Sequence, residues 1–265
     1  MKNSRDKIII CISIAALLFV YALKGDAQQV ELGVRCNPEF TGLINKNDNN
    51  AGNKLVLTSN FQYYSFGAGA VFNFNNNFGL AVDLLFSREG QRFKGNFNGS
   101  APDAATYSSV VHTQMSLNNM VIAGDYVAKA ELNYIKLPIM FSLTSDNTKP
   151  FFFALLLGPQ INFLEGVAQE VNDEDLDYPN STIKPTDLYK TVTINGVLAL
   201  GGAYNLSPNL VLSARLRFDY GFNDVEKKDV MVSYSGAAPI RFYSTGRQAA
   251  HSITEGLMLG LDFKL

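Results

Sequence analysis

Apolar and polar residues alternate with a period of two along eight stretches of this chain. That period is the signature of a β-strand, whose successive side chains point to opposite faces. The last ten residues are the clearest case, because small and charged residues occupy one face and apolar residues the other. The apolar positions are Leu257, Leu259, Leu261, Phe263 and Leu265. Such a strand is typical of a membrane β-barrel, in which one face meets lipid and the other lines the lumen.

The eight stretches predict eight strands, separated by the Asn, Asp, Ser, Pro and Gly residues that chain reversals need. The predicted strands are residues 30–40, 63–74, 78–93, 129–143, 150–164, 190–206, 210–222 and 251–265. Short turns follow the second, fourth and sixth strands, whereas long polar connections follow the first, third, fifth and seventh. These long connections are residues 41–62, 94–128, 165–189 and 223–250. Since an up-and-down barrel with both ends in the periplasm has this alternation, we predict an all-β, eight-stranded antiparallel up-and-down transmembrane β-barrel.

Charged residues follow the same alternation and fall on the face opposite the apolar one. Five acidic and five basic residues point inward under this assignment: Glu31, Arg35, Asp83, Glu89, Lys136, Arg215, Arg217, Asp219, Asp262 and Lys264. An eight-stranded barrel is just wide enough for side chains to fill it. Because unpaired buried charges are costly, we interpret these residues as an ion-paired filling of the lumen. The alternative is a selective pore or a proton path.

Aromatic residues cluster at the predicted strand ends, which indicates two interfacial girdles. The alternative is that aromatic residues simply favour strands. Near the short turns stand Phe72, Phe74, Phe78, Phe141, Phe151, Tyr204 and Phe263; near the long loops stand Tyr63, Phe163, Tyr220 and Phe222.

The N-terminal segment predicts export. A basic start precedes an apolar run at residues 8–23, and small residues stand at positions 25 and 27. We therefore expect a signal peptide over residues 1–27 and a mature barrel domain over residues 28–265, located in the outer membrane. A retained transmembrane helix is the alternative, but the apolar run is short for one. The net charge of −2 is not the footprint of a nucleic-acid-binding protein.

Catalytic chemistry has little support in the sequence. His112 lies in the second long connection, and His251 stands beside Ser252 and near Glu255, a grouping that could hydrolyse lipid acyl chains. No spacing signature accompanies it, so we predict no catalytic residues and no cofactor. The acidic run at residues 172–177 lacks the spaced ligands and the central glycine of a calcium loop, so we predict no metal site.

Three motifs resemble the PorT-type outer-membrane β-barrel family of Bacteroidetes-like bacteria. They read YIKLP at residues 134–138, FALLLGP at residues 153–159 and NGVLALGGAY at residues 195–204. The resemblance implies an integral outer-membrane protein with the architecture of the small OmpA and OmpX barrels. One branch of the family serves type IX secretion and gliding. The chain ends in Leu265, two residues after Phe263, where the family usually has a terminal Phe.

We expect a non-catalytic scaffold or interaction protein that acts through its long outer loops. The connection at residues 94–128 carries many apolar residues, so it is either a binding loop or an extension of the flanking strands. Expected partners are outer-membrane lipid and lipopolysaccharide, the barrel-assembly machinery that would act on the terminal strand during insertion, and a protein of a secretion complex. No nucleic-acid partner is expected. The alternatives are a component of a secretion or gliding machine, a small channel and a lipid-modifying barrel enzyme.

Overall fold

Eight antiparallel strands form a closed barrel, which confirms the predicted fold class. The computed structural model describes residues 29–46, 54–56, 63–97, 124–171, 174–175, 184–228, 230–232, 240–242 and 248–265. The barrel strands are β1 (Gln29–Ile44), β2 (Tyr64–Asn73), β3 (Phe78–Phe97), β4 (Gly124–Thr144), β5 (Phe151–Val171), β6 (Val192–Ser207), β7 (Leu210–Gly221) and β8 (His251–Lys264). The predicted signal peptide lies outside the described residues.

The first and last strands close the barrel. β1 pairs with β2 on one side, where Gln29 stands opposite Asn73, and with β8 on the other, where Glu31 stands opposite Lys264. Every other barrel strand pairs with its two sequence neighbours. A closed barrel has no exposed strand edge, which is what a structure surrounded by lipid requires.

The predicted short turns are tight and held by side chains. Asn75 Oδ1 accepts hydrogen bonds from the backbone N–H groups of Asn77 and Phe78, both at 2.9 Å. In the next turn, Asp146 Oδ1 accepts from the backbone N–H of Thr148 at 3.1 Å and from its hydroxyl at 2.6 Å. These two hydrogen bonds lower the pKa of Asp146 below its usual value.

Three central strands run further than their sequence pattern predicts. β3, β4 and β5 have 20, 21 and 21 residues, and the β3–β4 ladder continues until Phe97 stands opposite Gly124. Strand extension therefore accounts for both flanks of the connection at 94–128, while residues 98–123 lie outside the described part. Shorter strands pair nearby: Lys54–Val56 with β3, Glu174–Asp175 with β5, and Val230–Val232 with Ile240–Phe242. The sequence analysis was wrong to treat these segments as unpaired loop.

Large apolar side chains cover the outer face of the barrel. The five apolar positions of the terminal strand are exposed by 40–64%. On β7, Leu212, Leu216 and Phe218 are likewise exposed, and their neighbours Ser213, Arg215 and Arg217 are buried. Exposed apolar and buried charged residues are the inverse of a soluble protein and match a barrel in lipid. In the part of the chain described, no helix is both long and apolar enough to cross a membrane.

Two details of the predicted faces need correction. Tyr63 was assigned to the outer girdle, but it is only 1% exposed, because β2 begins one residue later and Tyr64 takes the outward position with 41% exposure. Phe72 keeps its outward register and is nevertheless buried at 3% exposure, in a cluster with Val82 and Leu137. On this part of the wall, a side chain on the outward face can therefore still be buried by its outward neighbours.

Candidate functional site in the barrel lumen

All ten charged residues assigned to the lumen are buried there, with exposed fractions of 8% or less. They come from β1, β3, β4, β7 and β8, whose alternation turns every second side chain inward. Ion pairs join seven of them into a group around Arg35 and a group around Lys136. Apolar inward residues separate and flank these groups: Val71, Ala81, Met140, Leu156, Val197, Ala199 and Met258 form one cluster, and Phe152, Ala203 and Val211 form another.

The first group centres on the guanidinium of Arg35. Its Nε lies 3.3 Å from Asp83 Oδ1, and its Nη1 lies 2.6 Å from Asp262 Oδ1. Both carboxylates are buried, so the cation between them satisfies two charges that would otherwise be costly. One side chain thus joins three strands, β1, β3 and β8.

Two glycines make room for this cation. Asp262, Gly33, Gly69 and Asp83 stand opposite one another in a row across β8, β1, β2 and β3. A Cβ at Gly33 would collide with the carboxylate of Asp262, and a Cβ at Gly69 with that of Asp83. The two central positions of this row therefore carry no side chain. The guanidinium of Arg35 occupies the space above them and contacts the aspartate at each end of the row.

Three of the predicted residues enter the lumen without forming an ion pair among the described residues. Glu31 accepts a hydrogen bond from Asn73 Nδ2 at 2.9 Å, and Lys264 Nζ donates to Asn205 Oδ1 at 2.8 Å. Arg215 lies on the same face, and its Nε has no hydrogen-bond partner there. All three are buried on the inward face of the wall, and the ion pairing predicted for them is absent among the described residues.

The second group centres on Lys136, which is completely buried. Its ammonium lies 3.6 Å from Glu39 Oε2 and 3.7 Å from Asp219 Oδ2, and it contacts Glu89 Oε1 most closely. Glu39 also accepts hydrogen bonds from Asn37 at 2.7 Å and from Ser65 at 2.5 Å. Three carboxylates thus share one ammonium deep in the barrel.

Glu39 is a lumen residue that the sequence analysis missed. It continues the inward positions of Glu31 and Arg35 with the same period of two, so the signal was present. The predicted strand at residues 30–40 includes Glu39, but Glu39 was not among the charges assigned to the lumen; Pro38, which stands immediately before it, is a residue that usually occurs at strand edges and bulges.

A chain of polar side chains continues from this group across the barrel. Arg217 Nε lies 2.8 Å from Asp219 Oδ1, and its Nη2 donates to Gln160 Oε1. Gln160 in turn donates to Asn162 Oδ1 at 2.7 Å, and Asn162 donates to Asn195 Oδ1 at 2.9 Å. Since buried polar groups are costly unless hydrogen-bonded, this chain stabilises the packing of β5, β6 and β7 against one another.

An apolar cap closes the outer end of the lumen. A 3₁₀ turn at Pro185–Leu188 places Leu188 and Tyr189 against inward residues of the wall, and Val225 joins them from the next connection. All three are fully buried. The wall residues in the cluster are Leu43, Leu132 and Tyr134. Their sequence pattern places these cap residues in long polar connections, because single apolar residues among polar neighbours carry no period.

Backbone and side-chain hydrogen bonds hold the cap in place. Lys190 N donates to Val225 O at 2.8 Å, and Lys227 N donates to Leu188 O at 2.8 Å. Gln169 Nε2 of β5 donates to the hydroxyl of Tyr189 at 3.0 Å. Hydrogen bonds therefore join the two connections of the cap to each other and join the cap to β5, above the ion pairs.

The alternative catalytic grouping of His251, Ser252 and Glu255 is not assembled. His251 stacks its ring on Tyr220 at a centroid distance of 5.9 Å, and its Nδ1 lies 2.9 Å from Gly221 O. Ser252 points into the lumen, where Asn195 donates to its hydroxyl at 3.3 Å, and Glu255 is exposed on the outer face. Adjacent strand residues face opposite ways, so His251 and Ser252 cannot converge. His112 lies outside the described residues.

No cluster of three or more His, Cys, Asp or Glu residues suited to a metal occurs among the described residues. The side chains of the acidic run at 172–177 are not among them, so its predicted lack of metal stays a prediction.

A groove interrupts the wall between β1 and β8. The ladder skips Asn37 and Pro38, since proline has no N–H to donate. A groove of about 520 Å³ lies here, bounded by apolar side chains such as Phe40 and Leu216 and by the lumen residues Glu39 and Arg217.

A closed antiparallel barrel with a lipid-facing outer surface and a charged, capped lumen defines an outer-membrane β-barrel protein. The chain belongs to the outer membrane protein beta-barrel domain family, whose model matches residues 26–227. This membership confirms the predicted location in the outer membrane. No curated protein sequence matches the chain.

Solved structures with a similar outline are outer-membrane proteins. Ail, the attachment invasion locus protein of Yersinia pestis, is 11% identical with a TM-score of 0.39, over 90% of this chain and 100% of that one. Neisserial surface protein A is 13% identical with a TM-score of 0.42, over 89% and 97%. The outer membrane protease OmpT of Escherichia coli is 9% identical with a TM-score of 0.39, over 90% and 97%. Similarity this low does not indicate which activity the present chain has.

Proposed function

We propose that this protein is a non-catalytic scaffold of the outer membrane, which binds a protein partner through its extracellular end. The observation that carries the proposal is the cap of Leu188, Tyr189 and Val225 above a lumen of buried ion pairs. A capped and filled lumen supports a role outside the barrel. The long strands β3, β4 and β5 supply a paired sheet at that end.

A site-specific photo-crosslinking experiment in intact cells tests this role. A photoreactive residue replaces Lys184, which is exposed beside the cap, or Asn76, which is exposed in a short periplasmic turn. The proposal predicts one discrete crosslinked partner from position 184 and none from position 76. Heat-shifted gel mobility of each variant checks that the barrel has folded. Absence of a crosslink from position 184 in folded protein would contradict the scaffold role.

We also propose a narrower family for this chain within the outer-membrane β-barrel proteins. The motifs at 134–138, 153–159 and 195–204 support membership of the PorT-type barrels of Bacteroidetes, with a signal peptide removed on export. A role in a secretion or gliding machine would place partners on the periplasmic side. Crosslinks from position 76, within a large particle after mild-detergent extraction, would favour that role over the scaffold.

A small channel is the second candidate, and the groove beside Pro38 favours it. The groove brings the apolar outer wall next to Glu39 and Arg217, so an apolar solute could pass between lumen and lipid there. Uptake of a fluorescent apolar dye into proteoliposomes tests this candidate. Replacing Leu216 with Trp should fill the groove and slow the uptake if this candidate is right, whereas empty and protein-containing vesicles should behave alike if it is wrong.

A further inference from the structure

A row of basic side chains extends up the outer wall from the level of Tyr64, the outward aromatic residue that stands opposite Arg88. On β3 the outward positions continue from Leu84 and Phe86 through Arg88 to Arg92 and Lys94. Phe86 is 50% exposed, and its ring lies tilted against that of Phe66 on β2, with 5.9 Å between the ring centroids. Arg88 is two residues further, about 7 Å along the strand. The row therefore begins where the lipid-facing surface ends and continues outward.

Neighbouring strands add basic positions to this row. Lys129 of β4 stands opposite Arg92, and Lys54 of the short strand stands opposite Lys94 in the backbone register. The row thus has basic positions on three adjacent strands. No other function described above uses these residues.

Two carboxylates form ion pairs with two of these basic side chains and leave the others without an acidic partner. Lys129 Nζ lies 2.5 Å from Glu131 Oε1 and 3.5 Å from Glu170 Oε1, and Arg88 pairs with the second oxygen of Glu131. Arg92 and Lys94 have no acidic partner within ion-pair distance among the described residues. Among the side chains that the structure describes in this row, four cations stand against two anions, and the two positive charges in excess are those of Arg92 and Lys94.

The excess positive charge lies directly above exposed aromatic side chains, and this arrangement suits a ligand that has both an apolar and an anionic part. A molecule beside the outward face of β3 at this height has its apolar part against Phe86 and Phe66 and its polar part against the basic row. Arg and Lys are the side chains that recognise phosphate. We propose that Arg88, Arg92, Lys94 and Lys129 form a binding surface for the phosphate groups of the outer-leaflet glycolipid, the lipid A part of lipopolysaccharide. This lipid contact is independent of the protein partner proposed above.

Lipid binding by the full chain in detergent micelles tests this surface. The probe is bisphosphorylated lipid A, with dephosphorylated lipid A as the matched ligand. The double variant Arg92→Gln/Lys94→Gln removes the two partnerless charges and leaves the Arg88–Glu131–Lys129 pairs intact. We expect it to bind bisphosphorylated lipid A about 25-fold more weakly, since each of the two basic residues near a charged lipid surface contributes about fivefold. Glu170→Gln removes a competing anion and should strengthen binding.

Lys149→Gln is the matched control, because this lysine is also exposed but lies in a turn at the opposite end of the barrel. It should bind like the unmodified chain. Equal binding by the double variant, equal loss in the control, or equal affinity for dephosphorylated lipid A would each overturn the proposal. Displacement by inorganic phosphate at the same phosphate concentration would show a site for the free ion and would also overturn the lipid assignment.

Discussion

Arg35 on the first strand lies 2.6 Å from Asp262 on the last, so an ion pair inside the barrel spans the seam where the chain closes on itself. The same guanidinium contacts Asp83 at 3.3 Å. In addition to the backbone ladder between β1 and β8, this single side chain of β1 connects β8 on one side to β3, two strands away on the other.

Replacing Arg35 with Met should therefore destabilise the barrel strongly. Removing one partner of a buried ion pair typically costs about 3–5 kcal/mol, because the remaining charge is left buried and unpaired. We expect a lower midpoint of urea unfolding in micelles, followed by heat-shifted mobility. The triple variant Arg35→Met/Asp83→Asn/Asp262→Asn removes all three charges and should recover most of the loss. A triple variant as unstable as the single one would mean that packing, and not charge, sets the effect.

Gly69→Ala should also destabilise the barrel, through a clash and not through charge. A Cβ at this position meets the carboxylate of Asp83, which is held by Arg35 and has little freedom to move. Overpacking of this kind costs about 1–3 kcal/mol. Gly166→Ala is the matched control, because its Cβ would meet nothing closer than 3.5 Å. The unfolding midpoint of Gly69→Ala should be clearly lower than that of Gly166→Ala. Equal midpoints would show that the space at Gly69 is not needed for the contact between Arg35 and Asp83.

The turn at Asp146 gives a prediction about pH. Hydrogen bonds from Thr148 hold the pKa of Asp146 below its usual value. A carboxyl with a lowered folded-state pKa contributes stability above its unfolded pKa and loses it as the pH falls through the folded value. NMR titration of the carboxyl carbon should show the lowered pKa, and Thr148→Val should raise it. Thr144→Val, which removes a bond to Asn76 O instead, should leave it unchanged.

The capped lumen predicts the absence of ion conduction. In planar lipid bilayers, the purified protein should give no stable conductance steps, because Tyr189 and Leu188 close the lumen above the buried group of Lys136. A general porin in the same bilayers is the positive control. Stable steps whose size changes in Arg217→Ala would show instead that ions pass the charged lumen.

The sequence predicts the faces of this barrel well inside the membrane, because lipid constrains every second residue there. Arg215, Arg217 and Asp219 were placed inward from alternation alone, and the structure buries all three. Above the membrane that constraint ends, so the outer parts of β3, β4 and β5 look like polar loop in the sequence. Their pairing comes from contact with neighbouring strands, which no local pattern records.

The partners of the inward charges could not be predicted from the sequence. Arg35 contacts Asp83 two strands away across Gly69, and this depends on the stagger of β1, β2 and β3. Alternation shows on which face a residue lies but not at which height, so it could not separate Glu31, which forms no ion pair among the described residues, from Arg35. The cap was missed for a related reason, since Leu188 and Val225 meet only after two connections fold back over the same opening.

The long ladder between β3 and β4 determines what meets the cell surface first. Phe97 lies 11 residues beyond Phe86 on β3, and at about 3.3 Å per residue and a tilt near 40° this raises it roughly 25–30 Å above the girdle. A phage, an antibody or a neighbouring cell would reach the end of this ribbon before it reached the lipid. The ladder ends at that height with Phe97 opposite Gly124, so a change at this end of the ribbon would alter the outward identity of the cell and leave the barrel unchanged.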